Sequence, residues 1–600
     1  MYQSFDDEER GGSTRRRVSA LRRALKAGNL NGLLVPHGDE HQTAPERLSW
    51  LTGFTGSAGT AVVLEDGAAL FVDGRYTLQG REQADISVFE VLVTPEAKPS
   101  QWIASKLTKG SIIGYDAKLH TVREIERLSE TLAKSGITLE AVEANPIDRL
   151  WKKRPAAQEG PIVPHGMEFA GERAEDKIAK VQAGLGADKG DALLLTQLDS
   201  IAWLFNIRGG DVRHAPVADA FAIVPANGRP TLFVDPSKAG SNVRGHLEDF
   251  VDIAPPNALE AKFAELGNAN ARVRLDPETA PIRFAQALKE AGAKVVSGSD
   301  PCILPKAIKN AVEIAGARTA HLRDGVAMAR FLAWLDDQVG SGRIDEVGAA
   351  MKLESFRRET GQLKDISFDT ISAVGPNGAI VHYRPTNKSK RLLKGNTLYL
   401  IDSGGQYPDG TTDITRTIAI GSPTKEMRHH YTLVLKGHIA IASARFPKAT
   451  RGQDLDPLAR RALWQEGLDY DHGTGHGVGS YLYVHEGPQR LSKLGSVALE
   501  PGMVLSNEPG LYREGEYGIR LENLMLVTPP APIEGGTREM LGFETLTLVP
   551  FDRRLIDVAL LTREEKAWLD AYHAEVRRKI EPLLKSDDRP WLRHATAPIR

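Results

Sequence analysis

Residues 397–420 read TLYLIDSGGQYPDGTTDITRTIAI, and residues 503–527 read MVLSNEPGLYREGEYGIRLENLMLV. Each is an apolar run that meets an acidic residue, turns, and returns. Thr397 to Ile401 reads as a strand ending at Asp402. After a Pro408-Asp409-Gly410 turn, a second strand runs from Asp413 to Ile420, so Asp402 and Asp413 are expected to face one another across a hairpin. In the second stretch, Met503 to Ser506 is a strand leading to Glu508. The chain turns at Arg513-Glu514-Gly515-Glu516, and Tyr517 to Val527 returns with Glu522. Period-two alternation sends Arg520 and Glu522 to one face and Ile519 and Leu521 to the other.

Carboxylates flanked by apolar residues are costly to bury alone. Four of them need more positive charge than one arginine provides, and a pair of divalent cations supplies it. Between the two stretches lies DHGTGHGVGS, residues 471–480, followed by YLYVHEGP, in which Tyr481 to Val484 reads as strand-like. So many glycines exclude a helix. They are expected to let the backbone approach metals and substrate closely, with His476 as the nitrogen ligand. Asp402, Asp413, His476, Glu508 and Glu522 form a hard, oxygen-rich set that suits Mn²⁺ or Co²⁺ better than a structural zinc site; Zn²⁺ is the remaining alternative. Carboxylates bridge two such ions roughly 3.5–4 Å apart, and a water held between them becomes a nucleophile near neutral pH. The stretch lacks the spacing of a phosphate loop.

The rest of the chain divides around this region. A chain of 600 residues holds three to five domains at roughly 100–200 residues each. RRRVSALRRALKAGNLNG reads as a helix. Two strands follow, joined at Glu65-Asp66-Gly67. A second block repeats the first: Arg47-Leu48-Ser49-Trp50-Leu51 precedes a strand pair ending Leu70-Phe71-Val72-Asp73, and Ser200-Ile201-Ala202-Trp203-Leu204 precedes a pair ending Leu232-Phe233-Val234-Asp235. The proline-rich segment 146–164 links the blocks. A second boundary falls near residues 297–310, and a long amphipathic helix follows it. The expected domains are 1–155, 156–305 and 306–600. Near the C-terminus, Thr562 caps a charged helix.

Composition excludes several classes. Net charge is −2, without the basic excess of a nucleic-acid binder. Arg15, Arg16 and Arg17 read as a solvated helix face. One cysteine, Cys302, excludes internal disulfides and reads as a buried linker residue. The opening MYQSFDDEERGG lacks a signal-peptide core, and no run approaches 18 apolar residues, so a cytoplasmic protein without a membrane span is expected. HGDEH, residues 37–41, is metal-like in type but reads as a substrate-side or dimer contact. His429 and His430 are expected on a solvated helix face.

Beyond the ligand types, VGPNGAIVHYRPT, IDSGGQYPDGTTDITRT, HGTGHGVGSYLYVHEGP, SNEPGLY and GIRLEN together resemble the signatures of the M24 metallopeptidases. GFTGSAGTAVV, VDGRYTLQ, LDSIAWLFNIRGGDV and FETLTLVP extend the likeness to the long, three-domain Xaa-Pro aminopeptidase branch. The resemblance implies a mixed α/β (α+β) chain: two creatinase-like N-terminal domains before a pita-bread catalytic domain. It implies the same five metal ligands. His382 and His485 would contact the scissile peptide and substrate, His472 would shape the proline-side pocket, and Arg520 would orient a metal-bound carboxylate. The implied activity is release of an N-terminal residue that precedes proline, with Glu508 accepting a proton and His485 stabilising the oxyanion. The implied assembly is a homodimer acting on peptides with an N-terminal Xaa-Pro. A prolidase shares the ligands but prefers Xaa-Pro dipeptides. Creatinase-type hydrolysis needs no metal, methionyl aminopeptidases are usually shorter, and non-catalytic pita-bread binding modules have lost ligands.

Overall fold

The computed structural model describes residues 1–6, 13–38 and 47–599. Residues 39–41 of the HGDEH stretch and the acidic residues after Asp6 lie outside them. Of the described residues, 13–166 and 172–302 form one compact unit; 1–6, 167–171 and 303–599 form the other.

The N-terminal unit contains two six-stranded sheets of identical topology. The first runs Glu90–Val93, Ala68–Val72, Thr60–Leu64, Gly32–Pro36, Ile112–Tyr115, Thr138–Ala141. The second runs Asp252–Ala254, Thr231–Phe233, Phe221–Pro225, Ala192–Leu195, Arg272–Leu275, Lys294–Ser297. In each, the third strand pairs antiparallel with both neighbours and the remaining pairs are parallel. The repeat reaches the side chains. Arg17 lies 4.9 Å over the Trp50 ring and Lys177 4.3 Å over Trp203, each from the first helix of its own block. Arg17 also donates to the Trp50 carbonyl, so it leaves the solvated face expected for it. The blocks exchange backbone bonds: Val122 N to Ala280 O at 3.1 Å and Ile282 N to His120 O at 2.9 Å. Cys302 is buried, its backbone N donating to Asp300 Oδ1 at 2.8 Å.

The other unit starts from well-capped helices. Asn310 and Glu313 form a capping box on Ala311–Gln338, and Thr562 and Glu565 form one on Arg563–Ile580. These helices, with Glu346–Arg358 and Lys425–Ala442, bury their apolar faces on two sheets. Phe331, Leu335 and Leu353 meet Tyr399, Ile401 and Ile418. Tyr431, Val434, Leu569 and Val576 meet Leu398, Ile519 and Leu521, and Ile441 meets Leu505 and Met525 of the second sheet. One sheet is three-stranded, with Thr397–Ser403 between Ile371–Val374 and Ile414–Ile420. The other is five-stranded: Glu486–Leu491, Gly475–Gly477, Val504–Asn507, Asn523–Val527, Phe543–Thr545. Residues 1–6 pack here too: Gln3 exchanges two hydrogen bonds with the Thr370 backbone, and Phe5 is buried with Val347 and Ala350.

Three local expectations are corrected. Tyr517–Val527 is two strands, Tyr517–Arg520 and Asn523–Val527, broken at Leu521 and Glu522. Tyr481–Val484, expected as strand-like, is a run of bends, and the strand starts at Glu486. His430 is buried, its Nδ1 2.9 Å from the Tyr517 hydroxyl; His429 lies 2.7 Å from Glu466. Helical neighbours point about 100° apart, so one of the pair can face the core. No helix among the described residues is long and apolar enough to cross a membrane.

Candidate metal centre

Asp402 stands near the end of the central strand Thr397–Ser403, paired with Ile371 on one side and Thr415 on the other. Asp413 sits just before Ile414–Ile420. It does not oppose Asp402: the hairpin closes in a two-residue turn at Pro408-Asp409, one register runs from Tyr407–Gly410 and Gln406–Thr411 to Asp402–Thr415, and Asp413 falls opposite Gly404. Both carboxylates are buried.

Glu508 and Glu522 do oppose one another. Asn507 pairs with Asn523, and Gly510 with Arg520, in one continuous register. The Leu521 N to Pro509 O bond, 3.2 Å, spans the gap. The two glutamates thus occupy the break between two ladders, where the chain leaves one sheet for the next. Arg520 and Glu522 still reach the same hydroxyl, that of Thr415, as their period-two spacing predicts.

His476 lies on Gly475–Gly477, and the glycines around it serve packing. A Cβ on Gly475 would stand 2.0 Å from Ser506 O, and one on Gly477 2.4 Å from Glu486 O. The strand nests against its neighbours' backbones. His476 Nδ1 lies 2.9 Å from Gly477 O and donates to it, leaving Nε2 with its lone pair. That atom faces Asp413 Oδ2 at 3.6 Å and Glu508 Oε1 at 3.5 Å, too far for a good hydrogen bond. Ligand atoms of Asp413, His476 and Glu522 all lie within 4.8 Å of one another.

Arg520 ties in the remaining carboxylate. Its Nη2 donates to Asp402 Oδ2 at 2.6 Å and its Nη1 to the Tyr512 hydroxyl at 2.7 Å. Tyr512 in turn bonds His472 Nε2 at 2.8 Å, while His472 Nδ1 donates to Gly473 O. His485 is exposed, its ring 4.3 Å from that of His476 at 84°. His382 is half-buried in the turn after Gly375–Ala379. Gly378 there abuts Gly518, so this segment runs beside the strand that delivers Arg520.

Sequence reasoning missed three supports. Thr415 donates to Glu522 Oε2 at 2.7 Å and lies 3.2 Å from Arg520 Nε. Ser506 accepts from His476 N and donates to Glu508 Oε1. Tyr512 is the third. Thr415 and Ser506 stand two residues from Asp413 and Glu508, the same-face spacing on a strand, which was the available signal.

The electrostatics favour a cation among these carboxylates. Burial, compounded by Glu522, Asp402 and Glu508, holds the Asp413 carboxyl well above the usual carboxylate range. Burial, then Glu508 and Asp402, does the same to Glu522. Burial raises Glu508 against the pull of His476 and Arg520. Burial works against the Arg520 charge, but Tyr512, Asp402 and Glu508 hold it well above its usual range. Asp402 Oδ1 and Asp413 Oδ1 are buried without a hydrogen-bond partner among the described residues. Orphaned, crowded carboxylate oxygens beside an imidazole lone pair are the donor set of a divalent-cation site.

Comparison with known proteins agrees. Residues 315–529 match the metallopeptidase family M24 and residues 539–599 its C-terminal region. The creatinase/prolidase N-terminal domain matches twice, over 17–150 and 153–313. The chain is 40% identical to a probable Xaa-Pro aminopeptidase P of Paracoccidioides brasiliensis, over 98% of this chain and 99% of that protein. It is 39% identical to one of Laccaria bicolor, over 98% and 94%. The solved X-prolyl aminopeptidase of Caenorhabditis elegans, described as a cytosolic enzyme with a di-nuclear active site, is 34% identical, with a TM-score of 0.93 over 98% of this chain and all of that one. The chain therefore belongs to metallopeptidase family M24, with two creatinase-type N-terminal domains ahead of a pita-bread metallopeptidase domain.

Proposed function

We propose that this chain is a metal-dependent Xaa-Pro aminopeptidase, cleaving the bond between an N-terminal residue and the proline that follows it. The observation that carries the reading is the gathering of four carboxylates and the His476 lone pair, two buried oxygens unpartnered, in a chain alike along its length to such aminopeptidases. Asp402, Asp413, His476, Glu508 and Glu522 would hold two divalent ions; the oxygen-rich set favours Mn²⁺. When bound, such ions supply Lewis acidity, lowering the pKa of water and polarising the peptide carbonyl.

The chain's own groups do the rest. A Glu508 carboxylate oxygen takes the proton of the attacking water and returns it to the departing proline nitrogen. His485, exposed beside His476, donates to the oxygen of the scissile carbonyl as charge develops there. His382 contacts the substrate peptide, and His472, fixed by Tyr512, shapes the proline side. Arg520 orients Asp402, and Thr415 orients Glu522. The C. elegans relative's description supports a cytoplasmic location, and a homodimer is part of the reading.

The test is an assay of purified protein on Xaa-Pro-Yaa tripeptides and Xaa-Pro dipeptides, with and without Mn²⁺. Faster Mn²⁺-dependent release from tripeptides is expected. A preference for dipeptides would make the enzyme a prolidase, and no hydrolysis of either would leave a binding module.

A further inference from the structure

His485 is exposed, yet it stands against His476, and the bends before it form no ladder. A charged clamp lies behind it, on the buried side of the chain. The carboxylate of Glu486, the next residue, has no exposed surface. Lys306 Nζ lies 3.1 Å from its Oε2, and Lys309 Nζ bonds its Oε1. Both lysine side chains are 2% exposed.

The carboxylate sits beneath the bend itself. A Cβ on Gly479 would come within 3.2 Å of Glu486 Oε2 and 2.8 Å of Leu482 Cβ. The Glu486 backbone pairs with Gly477, the residue after His476, at a point where the register slips. Across the bend, Gln406 Nε2 donates to Leu482 O at 2.8 Å.

Burying two ammonium groups and a carboxylate is expensive, and apolar residues of similar size often stabilise as well or better. The proposed reaction gives these groups no proton to carry. Their effect is directional. Glu486 is held inside while His485, the residue directly before it, is exposed, so pinning Glu486 inward fixes the chain that presents the His485 ring against His476. We propose that Glu486, clamped by Lys306 and Lys309, is the positioning residue for His485, fixing that imidazole where the scissile carbonyl is bound. The inference rests on the reading of His485 given above.

A double-mutant cycle tests it on the full-length, Mn²⁺-loaded enzyme with an Xaa-Pro-Yaa tripeptide. Lys309→Met leaves Glu486 with one lysine, a balanced pair, so folding is retained. Glu486→Gln is the second variant. Misplacing a reacting-side group by about 1 Å costs up to about 10²-fold. Lys309→Met is expected to lower kcat by about tenfold and Glu486→Gln by more, with KM and metal per chain unchanged. In a His485→Ala background neither change should lower kcat further. Independent, multiplicative losses would overturn the inference, as would metal loss in Lys309→Met, which would place the clamp's effect on His476. If His485→Ala alone leaves turnover intact, the reading of His485 fails, and the clamp falls with it. If Glu486→Gln does not fold, the Lys309→Met cycle decides alone.

Discussion

Asp413 Oδ1 is buried with no donor, and its carboxyl is held well above the ordinary range; a side chain in that state is either protonated or facing a cation. Glu508 differs from its three acidic neighbours. It is half-buried, 3.5 Å from His476 Nε2, and steadied by Ser506, so one group combines access to substrate with a proton affinity raised by burial. Glu508→Gln keeps the shape and removes the proton acceptor. Turnover should fall by at least about 10²-fold with an unchanged circular dichroism spectrum. Near-normal turnover would remove Glu508 from the role. The ligand-type residues were legible from the sequence, because acidic residues bounded by apolar ones are conspicuous. Thr415, Ser506 and Tyr512 were not, because a hydroxyl two residues from a carboxylate is common on any strand and only its partner gives it meaning.

At the scale of elements, the strand Gly475–Gly477 works because it has no side chains beside His476. Gly475→Ala would drive a methyl into Ser506 O, at 2.0 Å; Gly473→Ala would meet nothing nearer than Ser492 Cβ, at 3.3 Å. The first should cost most of the bound metal and activity, and the second should be tolerated, read by metal per chain for both. Equal behaviour would mean that this ladder does not place His476. The helix Arg563–Ile580 carries a pH dependence. His573 is buried and accepts from Phe551 N at 3.1 Å. Burial, then Arg416 and Arg553, pushes its pKa down to about 3. An unfolded imidazole titrates near about 6.5, so between those values the unfolded chain holds the extra proton. The stability contributed is complete above about pH 6.5 and is lost as pH falls toward 3, at up to about 1.4 kcal/mol per pH unit. Hydrogen exchange of this helix should accelerate accordingly from pH 6.5 to 4.5, after correction for intrinsic rates. His573→Asn should flatten that dependence, and an unchanged slope would refute it.

On the scale of the molecule, each unit has its own core, and the candidate metal site belongs wholly to the one holding residues 303–599. Chelation should therefore abolish peptidase activity and lower the stability of that unit alone. A ligand present at about 100 times its dissociation constant contributes about 2.7 kcal/mol. Hydrogen exchange should quicken across the helices Lys425–Ala442 and Arg563–Ile580 and stay constant in the two N-terminal sheets. Mn²⁺ should restore activity better than Mg²⁺, which dehydrates reluctantly and favours an oxygen octahedron. Full activity after exhaustive metal removal would overturn the mechanism.

What the sequence alone determined is local or repeated. Strand period, caps and turn residues follow from neighbours, so Thr14–Ala27, the turn at Glu65-Asp66-Gly67 and the Thr562 cap were readable before any fold was known. The duplicated blocks were readable because one topology needs one pattern twice. The ligand types and motif order carried the family resemblance. Tertiary structure decided the rest. Which residues oppose which depends on the two-residue turn that sets Asp402 against Thr415 rather than Asp413, and on the register that carries across a ladder break to set Glu508 against Glu522. It turned His430 inward while His429 faces Glu466. It brought Lys306 and Lys309 onto Glu486, nearly two hundred residues away in the chain, behind His485. Register and long-range pairing are set by how whole faces pack, and no single residue's neighbours in the chain encode that.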